Sequence, residues 1–287
     1  MSIYDVFSGG SKPFNKEEWA AQKQAERKET YELIDNTCTE MMENGGSFRQ
    51  YLDVQGRFDR YSVANAILVS AQMPEATQLK DYSKWKQSRV YVNKDAQKIT
   101  ILEPSKEYTR EDGSKAVSYN TKTVYDISET SASGRTEQPE PKAMRELVSA
   151  LIDASPVGFQ PVDDLEMASY YDSSQQTIFI RTGLTDEQLF VSMAKEVSAA
   201  VYDFKYNESR DASDFKSFCT AYMVSTRYGV DTKGFSFDKL PKEYEQMDTQ
   251  AFKGELSSMR DVLGEIQSEM YKSLEKNKPA KSKEQER

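Results

Sequence analysis

Histidine is missing from all 287 residues. That absence excludes histidine-ligated metals, Ser-His-Asp and Cys-His catalysis and imidazole proton shuttles together. Cysteine is scarce: Cys38 and Cys219 lie far apart, each within a helical apolar pattern, and read as buried free thiols of a reducing compartment. No stretch approaches the roughly 20 apolar residues of a membrane span. The opening MSIYDVFSGGSKPF has no apolar core of a signal peptide. The expected location is therefore cytoplasmic, with no membrane partner. Positive charge is short as well: the net charge of −9 excludes a generic polyanion binder. No Gly-rich phosphate loop occurs, since Ser8-Gly9-Gly10-Ser11-Lys12 is too short and follows no strand.

What is present is organised around Thr185 to Phe204. Thr185 and Gln188 have capping-box spacing, and Asp186 and Glu187 place negative charge in the first turn. Leu189, Met193, Val197, Ala200 and Phe204 form an apolar stripe at spacings of four and three. In the middle stands Lys195-Glu196-Val197-Ser198-Ala199, where a zinc-protease helix would carry H-E-x-x-H. The glutamate is kept; the ligand positions hold Lys195 and Ser198-Ala199. Glu196 alone cannot hold zinc, and Asp203, Asp211 and Asp214 have no ligand spacing. The plain reading is a packed helix with one solvent-facing glutamate. No metal and no cofactor is expected.

The rest of the chain alternates helical and strand patterns. Residues 1–14 read as a loose arm. A helix follows over 15–43, punctuated by Trp19, Tyr31, Ile34, Cys38 and Met41 and stopped by Asn44-Gly45-Gly46. A short helix runs through Phe48, Tyr51 and Leu52. The next, over 61–73, is capped by Ser62, ended by Pro74, and given a stripe of Ala64, Ile67, Leu68 and Ala71, with Asn65 at its edge. A helical turn at 82–87 precedes strands at 89–92, 98–102 and 117–127. Ser128 to Pro141 is rich in Ser, Thr, Glu and Pro and reads as a linker. Beyond it come a helix over 142–154, a hairpin over 168–181, the helix at 185–204, a helix over 213–228 ended by Gly229, and a long helix from Leu240 to about Lys276.

Between Arg49 and Lys98 lie nine basic and five acidic residues, a local excess of +4, interleaved with Tyr51, Phe58, Tyr61, Tyr82, Trp85 and Tyr91. Cations that follow a phosphate backbone beside rings that stack on bases are the two parts of a single-strand binder. A solvated face above core aromatics has the same composition, and both readings stand at this point.

Several motifs resemble the N-terminal domain of ArdC-type antirestriction proteins and their LtrC-like relatives, which plasmids and conjugative elements encode. They are Tyr61-Ser-Val-Ala-Asn65, Ala71 to Thr77, Trp85-Lys86, Val92-Asn93-Lys94, Ile99 to Pro104 and Val124 to Thr130. The second half is similar to that family's zinc-metallopeptidase-like domain, through Tyr170-Tyr171-Asp172, residues 176–180, the helix at 185–204 and Ala221 to Val224. The third metal ligand would fall near Lys216-Ser217-Phe218 and is absent too. The resemblance covers most of residues 47–275. It implies an α+β fold in two domains. Residues 1–130 would be a single-stranded-DNA-binding domain of helices and a small antiparallel sheet. Residues 142–276 would be a mostly helical zincin-like domain with a short hairpin and no zinc ligands; composition makes residues 131–141 the linker and 277–287 a disordered charged tail. The expected contact set, chosen on charge and ring placement, is Arg57, Arg60, Asn65, Lys84, Trp85, Lys86, Arg89 and Lys94. The expected function is a non-catalytic, antirestriction-like protein of a mobile element, with a protein partner from host defence or conjugation. The rival reading is an acidic decoy that captures such a protein without binding DNA.

Overall fold

A computed structural model describes residues 15–135 and 142–276; the arm at 1–14, residues 136–141 of the linker and the tail at 277–287 lie outside the described residues. The described chain is an α+β fold. Helix α1 (Lys16–Glu43) begins at Asn15, whose side chain accepts from the backbone N–H groups of Glu17 and Glu18. Asn44 then ends α1 and caps α2 (Gly45–Arg57) with its own side chain. Helix α3 (Val63–Gln72) starts from Ser62, as its sequence predicts. Strand β1 (Leu79–Lys80) and helix α4 (Tyr82–Gln87) lead to a long hairpin, β2 (Ile99–Thr109) and β3 (Lys115–Asp126). The three strands form an antiparallel sheet in the order β1-β3-β2.

The second half opens with α5 (Met144–Asp153). Strands β4 (Gly158–Val162), β5 (Ser169–Asp172) and β6 (Thr177–Arg181) follow, then helices α6 (Asp186–Tyr206), α7 (Asp214–Tyr228) and α8 (Thr249–Lys276). Its sheet has the order β4-β6-β5, with β4 parallel and β5 antiparallel to β6. The capping box at Thr185 and Gln188 forms with both hydrogen bonds, and Gly229 ends α7 in the left-handed region at φ 70°. No helix among the described residues is long and apolar enough to cross a membrane.

Several expectations change. Residues 89–92 are not a strand: Arg89 turns through φ 56°, and Val92 makes one isolated bridge to Thr130. Strand β4 was not among the expected elements; parallel pairing with β6 makes it a strand. Helix α8 starts at Thr249, after a short 3-10 turn at Tyr244–Gln246. In α3 the buried residues include Val63, Ala66, Ile67, Leu68 and Val69, while Ala71 is exposed. Trp19, Tyr31 and Phe204 are exposed as well. Cys38 and Cys219 are buried free thiols, and burial pushes the Cys38 thiol up to about 11.

One cluster of buried side chains runs through both halves, from Ile34 and Phe48 to Tyr222, Phe252 and Leu274. Helix α2 approaches α7 closely. A Cβ at Gly56 would lie 3.2 Å from the Met223 carbonyl oxygen, and one at Gly45 would collide with the Phe237 backbone. Polar contacts cross the same junction: Tyr222 accepts from Arg49 Nε at 3.0 Å and donates to Asp53 at 2.5 Å. The start of the expected linker is packed, since Thr130 and Ala132 are buried.

At its first residues the open edge of β2 is closed by two side-chain amides from α3. Asn65 Nδ2 donates to the Leu102 carbonyl at 2.9 Å, and its Oδ1 accepts from Leu102 N–H at 2.8 Å. Gln72 makes the same pair with Thr100, both bonds at 2.9 Å. Each amide does what a neighbouring strand would do and blocks edge-to-edge pairing. Replacing Asn65 by alanine strands a buried N–H and C=O of β2, and should lower the unfolding free energy by roughly 2–4 kcal/mol. Urea unfolding that shifts by less than about 0.5 kcal/mol would show that the edge does not need this clamp.

Candidate functional site

Glu196 sits in mid-α6 and is 2% exposed, so it does not face solvent as its sequence suggested. Its carboxylate is engaged on both oxygens. Arg210 Nη2 donates to Oε1 at 2.7 Å and Arg210 Nε to Oε2 at 2.8 Å, a bidentate pair. The backbone N–H of Tyr171 in β5 donates to Oε2 at 2.9 Å. The Arg210 guanidinium also stacks over the Tyr170 ring, 4.9 Å from its centroid. Tyr171 continues the network by donating its hydroxyl to Asp203 at 2.7 Å. Burial beside Asp203 pushes the Tyr171 phenol well above its ordinary range. A carboxylate held in this way has no free edge with which to take a proton from water.

Of the positions where the sequence would place metal ligands, two carry cations and one holds Ser198-Ala199. Lys195 pairs with Asp214 at 2.7 Å. Ala199 is buried, and Ser198 turns its hydroxyl back onto the Ala194 carbonyl at 2.7 Å. Lys216, at the expected third-ligand region, is buried between Glu208 at 2.5 Å and Glu255 at 3.4 Å. Asp203, Asp214 and Asp211 are thus tied separately to Tyr171, Lys195 and Arg210 rather than grouped. This donor set does not fit a zinc ion: soft or imidazole ligands are lacking, and three cationic side chains would repel the dication. Sequence reasoning missed Arg210, because its partner is fourteen positions away across a turn; only the unpaired Glu196 hinted at it.

The expected nucleic-acid contacts divide. Trp85 is 2% exposed, packs with Ile127 and Ala132 in a second small core, and donates its Nε1 to the Tyr125 carbonyl at 2.9 Å. A buried indole has no face to offer a base, so Trp85 is corrected to an anchor. Asn65 is used on β2. Arg57 is half-buried, donates to the Pro74 carbonyl, and has its ionisation disfavoured by that burial. Arg60 lies apart, in a cleft against Arg227 and Arg260. Lys84, Lys86, Arg89 and Lys94 are exposed along one continuous stretch. Tyr82 and Tyr91, 55% and 65% exposed, lie within it and supply the open rings that Trp85 does not.

That stretch is held from behind. Lys80 lies 4.6 Å from the Trp85 ring centroid. Asp81 caps α4 by accepting from Lys84 N–H at 2.8 Å, and Lys122 neutralises it at 3.2 Å. Asn93 N–H donates to the Glu129 carbonyl at 2.9 Å, and Ser131 N–H to the Tyr91 carbonyl at 2.7 Å. Buried Asp126 organises this backing by accepting from Thr77, Gln78 and Ser128 N–H groups. Residues 80–98 contain six basic and two acidic residues, so the whole +4 of the wider segment is concentrated here.

No protein-family model matches the chain, and no curated protein does. Among solved structures the chain is similar to crystal structures of the antirestriction protein ArdC from plasmid R388. The metal-free form has a TM-score of 0.46 and 14% identity, over 74% of this chain and 86% of that one. The Mn(II)-bound form has a TM-score of 0.47 and 16% identity, over 76% and 84%.

Arg210→Ala should cost about 3–5 kcal/mol of stability, because it leaves a buried carboxylate unpaired. Adding Glu196→Leu to that variant should restore much of the loss. Thermal unfolding of both variants checks this, and a single variant as stable as the parent would show that the pair is not needed.

Proposed function

We propose that this chain is a non-catalytic, antirestriction-like protein of a mobile genetic element that binds single-stranded DNA through residues 80–98. The observation that carries the DNA reading is the juxtaposition of exposed Lys84, Lys86, Arg89 and Lys94 with exposed Tyr82 and Tyr91 on one stapled segment. Cations follow phosphates, and rings stack on bases without sequence preference. The antirestriction role rests on the motifs that resemble ArdC-type and LtrC-like proteins of plasmids and conjugative elements. The second half is proposed as a pseudoenzyme: its one zincin-like glutamate is locked to Arg210, and its surface is left for a protein partner of host defence or conjugation.

Titration of a labelled single-stranded oligonucleotide at several salt concentrations tests the proposal. Affinity should fall as salt rises, through counterion release. Replacing Lys84, Lys86, Arg89 and Lys94 together by alanine should flatten the log–log slope by roughly 0.7 for each phosphate that the variant no longer neutralises. Tyr82→Ala or Tyr91→Ala should each cost about 1–3 kcal/mol of binding. Absence of binding at low salt, or a slope that the fourfold variant leaves unchanged, rejects the reading and favours the acidic decoy.

A further inference from the structure

A cavity of about 420 Å³ opens between the C-terminal end of α7, the middle of α8 and the turn after α2. Small-molecule sites run from roughly 300 to 1,000 Å³. Its walls carry Arg60 from the turn, Arg227 and Tyr228 from α7, and Arg260, Gln267 and Tyr271 from α8. Three arginines face two acids, Asp59 and Asp261, in its lining. Arg260 pairs with Asp261 at 3.0 Å, and its Nε donates to the Tyr61 carbonyl at 3.2 Å. Arg227 donates to the Arg57 carbonyl at 3.2 Å and has no acidic ion-pair partner among the described residues. Arg60 is exposed at the rim.

The residues from α8 share one helix face. Arg260, Gly264, Gln267 and Tyr271 recur at spacings of four, three and four. Gly264 stands at the centre, where a Cβ would meet nothing within 4 Å. Packing does not call for glycine there, yet glycine weakens a helix interior. Its effect is to leave the cavity floor open. Gln267 is 5% exposed, and neither its carboxamide nitrogen nor its oxygen has a partner among the described residues. A buried amide left unpaired is costly to a fold. Tyr271, one turn further along, is 61% exposed and presents a free ring.

We propose that this cavity binds a single nucleotide. Guanidinium forks match phosphate geometry, which assigns the phosphate to Arg60 and Arg227, beside Arg260, whose charge Asp261 already pairs. A carboxamide offers one donor and one acceptor side by side, the complement of an adenine edge at N6 and N7. Both polar atoms of the Gln267 carboxamide are covered in this structure, so the base reaches Gln267 only after the side chains over it move, with the exposed Tyr271 ring then stacking on the base. The free nucleotide and the terminal nucleotide of a strand share this chemistry. The site is separate from the 80–98 surface and does not rest on the function proposed for it.

The test is calorimetric titration of the full chain with deoxyadenosine monophosphate, alongside inorganic phosphate and deoxyadenosine. Saturable binding of the monophosphate, tighter than of either fragment, is expected. Arg227→Glu, an exposed substitution, should weaken it about tenfold or more. Gln267→Leu should weaken it similarly while leaving the melting temperature unchanged or raised, because an unpaired amide has been removed. The alanine replacement of Lys84, Lys86, Arg89 and Lys94 should leave it untouched, so failure of the DNA surface and failure of this site are separable. A 5′-phosphorylated oligonucleotide that displaces the monophosphate assigns the site to strand ends; one that does not assigns it to free nucleotide. No saturation at millimolar monophosphate, equal binding of phosphate alone, or indifference to Arg227→Glu overturns the proposal.

Discussion

A carboxylate in the middle of a packed helix has to be matched by a charge, and Glu196 is matched by Arg210 on both oxygens. The rest of the second half is arranged through that pair. The third bond to Glu196 comes from the backbone of Tyr171, so edge strand β5 is fastened to α6 at the carboxylate. The Tyr171 hydroxyl reaches Asp203 two turns along the same helix, so β5 is held twice. Arg210 also ties the turn between α6 and α7 to the sheet, through its stacking on Tyr170. A guanidinium therefore performs the organising task that a bound cation performs in a metal centre. The difference is chemical. A metal leaves an open position for substrate, whereas a bidentate guanidinium fills the carboxylate and shuts out water.

The first half uses the same economy with uncharged groups. Two amides of α3 take up the outward hydrogen bonds of Thr100 and Leu102 in β2, and buried Asp126 collects three backbone N–H groups around the end of β3. Trp85 sits against this backing with Ile127 and Ala132. Because the indole faces inward, the side chains on either side of it, Lys84 and Lys86, face water. Burial of one large ring thus fixes the presentation of the cations beside it. Arg89, in the left-handed region, then ends α4, and exposed Tyr91 and Lys94 follow it in the same segment.

Local signals were legible in the sequence where one turn of chain sufficed. Thr185 with Gln188, Ser62, and Gly229 each act within four residues, and each forms what its spacing predicts. The seam of α8 was legible too, since Phe252, Leu256, Met259, Leu263, Ile266 and Met270 are all buried. Signals that depend on a distant partner were not. Glu196 reads as a surface residue until Arg210 folds back onto it. Trp85, flanked by lysines, reads as a stacking ring until residues 125–132 cover it. Asn65 reads as a polar edge residue because Leu102, which it clamps, is 37 positions away. The lack of histidine was legible at once, because the absence of a residue type needs no tertiary context.

Charge placement bears on both readings of function. The chain carries −9, and residues 80–98 carry +4, which leaves −13 for everything else. A polyanion approaching at random meets repulsion over most of the surface and attraction on one segment. Screening shortens both effects to about 8 Å at physiological ionic strength. On the DNA reading contact would then be decided locally, and the acidic remainder would orient a strand rather than prevent its binding. The overall negative charge that favours a decoy is therefore compatible with a DNA-binding face, provided the cations are concentrated. Their concentration follows from Trp85 and Asp126, which hold the segment in place, and from Lys122, which neutralises the one acid at its base.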